Sequence, residues 1–151
     1  MTDIHELEDG TFQVELPNGR LSTSDSPQAL QQLIDELNQQ HKDETLFLEA
    51  WKVAVRYAGA RFFAIDVTDT EHASDKEQLR PDLDAIKEGI GALSGGEKRF
   101  LVAVYSFFNR QVARDLADEF GIEGNPGELA AHLDRDRLDV ITTLMRHYTG
   151  W

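Results

Sequence analysis

Five side chains able to ligate a cation or move a proton fall within residues 66–75 of this 151-residue chain: Asp66, Asp69, Glu71, His72 and Asp75. Hard divalent cations are held by several carboxylate oxygens, and an imidazole among them biases a site toward transition metals. Asp66, Asp69, Glu71 and His72 are therefore the candidate metal ligands. A metal-dependent enzyme built on this acidic loop is one functional reading. Asp66 and Glu77 have the first-to-last spacing of an EF-hand loop. However, Glu71 stands where that loop needs glycine, and Thr68 and Thr70 stand at two ligand positions. A solvated acidic connection has the same composition.

A second cluster is His132, Asp134 and Asp136. His132 and Asp136 share a face if one helix runs through both, which would make a metal or general-base pair. Asp134 or Asp136 also suits the N-cap of a final helix, and capping is the simpler reading. A third motif is Leu93-Ser94-Gly95-Gly96-Glu97-Lys98. It resembles the signature motif of ATP-binding-cassette and chromosome-maintenance ATPases, in which a serine and glycine amides at a helix start meet a nucleotide phosphate. The resemblance covers these six residues, and the chain has no G-x-x-x-x-G-K-[ST] loop to accompany it. Ser94 followed three residues later by Glu97 is also a capping box, which accounts for the string without a ligand. There is no G-x-S-x-G elbow and no dinucleotide fingerprint.

Composition removes other chemistry. The chain has no cysteine, so disulfides, thiolate metal sites and a cysteine nucleophile are excluded. Asp and Glu number 28 against 15 Lys and Arg, a net charge of −13. This balance disfavours a broad basic face for phosphate backbones or anionic lipid, so neither direct nucleic-acid nor membrane contact is expected. The acidic, polar opening lacks a signal-peptide pattern, and a cytoplasmic location is expected.

The elements that must position these residues follow from hydrophobic spacing. Residues 1–10 read as a flexible N-terminus and 11–151 as one globular domain. Phe12, Val14 and Leu16 alternate with polar residues before Pro17-Asn18-Gly19, which predicts a hairpin with strands near 11–16 and 20–24. Ser26-Pro27 starts a helix that should end near Gln40 or His41. Leu48, Trp51, Val55, Ala58, Phe62 and Ile65 then recur every third or fourth place, predicting one helix over 43–67. The rival reading breaks it at Gly59 and makes 61–67 a strand. Pro81 opens a further helix. The apolar run after Ser94 predicts a buried helix over 95–120, with a bend at Asn109. Gly121 follows as its C-terminal stop. Two short helices near 126–133 and 135–148 complete the chain.

The fold expected is mainly α: a bundle of five or six helices with an N-terminal β-hairpin, or α+β if 61–67 is a third strand. The functional expectation is a small acidic protein-binding or adaptor protein without catalytic activity or cofactor. Its partner is another protein, with a homodimer as one variant. Tyr148 and Trp151 are the candidate interface residues, because Trp at such a position either docks on its own chain or anchors a partner. The alternatives are the metal-dependent enzyme and an acidic nucleic-acid mimic that binds a basic protein.

Overall fold

A computed structural model describes Thr2–Trp151, and the chain divides into two units, residues up to Glu44 and Thr45–Trp151. In the first unit, strands β1 (His5–Glu6), β2 (Phe12–Glu15) and β3 (Leu21–Ser24) form an antiparallel sheet in that order. The hairpin turns where predicted. Gly19 takes φ +77°, the Asn18 side chain accepts from the Arg20 N–H at 3.1 Å, and Leu16 N–H bonds the Arg20 carbonyl at 2.8 Å. β1 adds a strand that the alternation pattern did not announce. Helix α1 (Pro27–Ala58) opens on Pro27, with the Ser26 hydroxyl accepting from Ala29 N–H. Val14, Leu30 and Ile34 are buried together, with Ile4, Phe12 and Leu16 packed against them.

α1 corrects two expectations. It does not stop near residue 41, and it does not reach residue 67. No glycine or proline interrupts 28–58, and Gln39–Asp43 and Gln40–Glu44 side-chain bonds, each one turn apart, span the expected break. The helix ends at Ala58 because Gly59 adopts φ +110°, a conformation L side chains rarely take. Phe62 then lies in a single 3₁₀ turn and remains buried. The following strand β4 (Phe63–Ile65) pairs antiparallel with β5 (Leu79–Pro81). Pro81 thus belongs to a strand. The next helix, α2 (Leu83–Gly89), is capped instead by Asp82, whose carboxylate accepts from Ala85 N–H at 3.1 Å.

Beyond a 3₁₀ turn at Ile90–Ala92 come α3 (Gly95–Phe108), α4 (Arg110–Phe120), α5 (Pro126–His132) and α6 (Arg135–Arg146). The expected 95–120 helix is two helices, because Asn109 turns extended and caps α4 through Val112 N–H at 3.1 Å. Gly121 closes α4 in the left-handed conformation. Trp51, Val55, Ile86, Ile90, Phe100, Val104 and Leu144 are fully buried and form the second unit's core. The Trp51 indole donates to the Leu79 carbonyl at 3.0 Å, tying α1 to β5. The protein is mainly α, with six helices among the described residues and an N-terminal antiparallel sheet. No helix among the described residues is long and apolar enough to cross a membrane.

Candidate functional site

The structure distributes the 66–75 loop among local duties. Asp69 accepts from the His72 backbone N–H at 3.1 Å and meets His72 Nδ1 at 2.7 Å, capping a one-turn 3₁₀ helix. That contact with the His72 side chain, more than any other, holds the Asp69 carboxyl below its usual range. Asp75 caps the next 3₁₀ turn through Glu77 N–H at 2.8 Å. Glu71 pairs with Arg56, while its backbone carbonyl accepts from Lys52 at 3.3 Å. Asp66 lies 3.8 Å from Arg80. Of the four candidate ligands, only Asp69 and His72 are brought together. Among the described residues, no group of three or more His, Asp or Glu side chains is disposed to hold a metal ion.

His132 and Asp136 fall on different helices, α5 and α6, so the face they would share does not form. His132 lies 3.3 Å from Glu128, and Asp134 caps α6 through Arg137 N–H at 2.9 Å. Ser94 and Glu97 form the expected capping box: Glu97 N–H donates to the Ser94 hydroxyl at 3.3 Å, and Ser94 N–H donates to the Glu97 carboxylate at 2.7 Å. The backbone bond to Ser94 is the main reason the Glu97 carboxyl sits low, as the bond to Arg137 is for Asp134. These two helix starts border a cleft of about 220 Å³ with His132 and Arg137. Each start is already occupied by its own carboxylate.

Trp151 packs on its own chain, edge-on to Trp51 and Phe108, and lies partly buried. Tyr148 is 44% exposed and rests against Phe47 and Phe107, and Met145, three residues earlier in the chain, is 63% exposed. The residue that sequence reasoning missed here is Lys76. Its ammonium donates to the Gly150 carbonyl and lies over the Trp151 ring at 5.0 Å and the Phe47 ring at 5.4 Å. Nothing in a polar connection 75 residues upstream marks such a partner.

The first unit carries a different kind of surface. Residues 1–44 contain ten Asp and Glu against two basic residues, Arg20 and Lys42, a net of −8 out of −13. β3 is an edge of its sheet. Because Leu16 N–H bonds the Arg20 carbonyl, the antiparallel alternation makes Val14–Ser22 and Phe12–Ser24 the bonded pairs. The backbone N–H and C=O of Leu21 and Thr23 therefore point away from β2. Leu21, 65% exposed, stands directly across from Glu15. A shallow depression of about 420 Å³ on this sheet is lined by Asp3, His5, Gln13, Glu15 and Leu21 among others.

No family model, curated protein or solved structure matches the chain.

Proposed function

We propose that this chain is a cytoplasmic protein-binding module without catalytic activity, whose partner presents positive charge. The observation that carries the reading is the concentration of −8 in residues 1–44, where only Arg20 and Lys42 offset ten acids. A lopsided field of this kind raises the encounter rate with a cationic surface and disfavours wrong partners of like sign. The acids of the 66–75 loop, by contrast, are engaged in turn capping and ion pairs. A basic nucleic-acid-binding protein is one class of partner that fits, and a duplex competitor would reveal it.

The test is binding to an array of cationic and acidic peptides at physiological salt. The expected result is retention of cationic members. Replacing Glu6, Glu8, Asp9 and Glu15 by their amides should abolish that retention. The same treatment of four exposed acids in 45–151 should leave it. Absence of any charge-selective binding, or equal loss in both variants, would overturn the reading.

A further inference from the structure

We infer that the free edge of β3 is where the partner binds, by accepting an extended cationic segment as an added strand; this rests on the protein-binding reading above. β3 has four residues, Leu21–Ser24, with no proline, lysine or bulge among them to guard the edge. The opposite edge, β1, has two residues and offers little to pair with. Strand addition draws affinity from main-chain bonds and specificity from alternate side chains. Leu21 and Thr23 each present one donor and one acceptor outward, in register for a four-bond ladder.

The occupant's chemistry follows from the face above this edge. On an added strand, a side chain level with Leu21 lies on the same face as Leu21 and Glu15. A lysine or arginine there lays its methylenes along the exposed Leu21 side chain and carries its charge toward Glu15 and the depression that Asp3 also lines. A second copy of this chain is the poorer occupant, since two units of net −8 repel. Arg20, immediately before β3, adds one local positive charge and favours an acidic or neutral residue at that end of the segment.

The experiment uses the full chain and a labelled eight-residue peptide alternating lysine and threonine, read by fluorescence anisotropy. Two further peptides carry N-methyl groups on alternate amides, one set in each of the two registers. One methylated register should lose affinity at least about tenfold, since two main-chain bonds go, while the other keeps it. The two peptides are equal in charge, so a purely electrostatic association would not separate them. In the protein, Thr23→Pro removes one outward N–H without removing a bond to β2, and should weaken binding several-fold. Glu15→Gln should weaken it several-fold and flatten its salt dependence. Binding that is indifferent to methylation and to Thr23→Pro would overturn the edge placement while leaving a cationic partner intact. No binding of any cationic peptide would overturn both. A dimer in light scattering that Thr23→Pro dissolves would overturn the occupant and put a second copy on the edge.

Discussion

Trp51 and Trp151, the two tryptophans of the chain, meet edge-on with ring centroids 4.8 Å apart and planes inclined by 65°. Trp51 is fully buried and hydrogen-bonded to Leu79. The Trp151 indole N–H is buried with no protein partner among the described residues. Gly150, at φ +103°, makes the reversal that lays Trp151 down, and Lys76 holds the Gly150 carbonyl. Two indoles this close couple their transitions, so the native protein should show an exciton couplet in far-ultraviolet circular dichroism. Trp151→Phe should abolish the couplet at little cost to stability, because it removes an unsatisfied N–H together with some contact area. Trp151→Ala should cost on the order of 2 kcal/mol in denaturant unfolding, less than for a fully buried aromatic. A couplet that persists in Trp151→Phe would rule out this packing.

Gly96 lies in the first turn of α3, where alanine would ordinarily help a helix. A Cβ at this position would stand 2.8 Å from the backbone carbonyl oxygen of His132. That oxygen belongs to the end of α5 and cannot swing aside as a side chain can. Gly96→Ala should therefore destabilise by about 1–3 kcal/mol, the range for overpacking, reversing the usual sign. Chemical denaturation decides it. Gly91→Ala is the control, since its Cβ would meet nothing within 4 Å.

Ser94→Ala removes one half of the capping box and should cost about 1 kcal/mol. If the box is the whole meaning of the Ser94–Lys98 string, adding ATP with magnesium will leave the melting temperature of both proteins unchanged. A nucleotide-dependent rise present in the native protein and absent in Ser94→Ala would restore the phosphate-binding reading.

Asp69, Glu97 and Asp134 each sit below their ordinary carboxyl range because of hydrogen bonds to neighbours that exist only in the folded chain: to the His72 side chain and to the Ser94 and Arg137 backbone, respectively. The folded state thus binds fewer protons than the unfolded one. Their contribution is fully present above the unfolded carboxyl range and is lost as pH falls through the lower folded values. Melting temperature should accordingly fall below about pH 4. The triple variant Asp69→Asn, Glu97→Gln, Asp134→Asn keeps cap acceptors but cannot titrate, and should show a shallower acid limb. An acid limb as steep as the native one would show that these three groups do not set it.

What the residues determine by themselves is whatever their nearest neighbours complete. Ser26-Pro27, Ser94 with Glu97, Asp134, Gly121 and the Pro17-Asn18-Gly19 turn all act where their types place them, because caps and turns close within a few residues. The candidate site was legible in the same limited way. The acids of 66–75 were visible, but the partners of Glu71 and Asp66 were not, since Arg56 and Arg80 arrive from other elements. The spacing through Phe62 and Ile65 continues the helical seam, yet spacing reports only which side chains face inward. A 3₁₀ turn and a short strand bury Phe62 as completely as a helix would. The choice between them lay with Gly59, which tolerates φ +110°, and with β5, whose Leu-Arg-Pro carries no strand pattern of its own and which the thirteen residues 66–78 separate from β4. Only tertiary structure brings Leu79 beside Ile65 and under the Trp51 indole. The free energy of that pairing and burial decides what a local period of three and four leaves open.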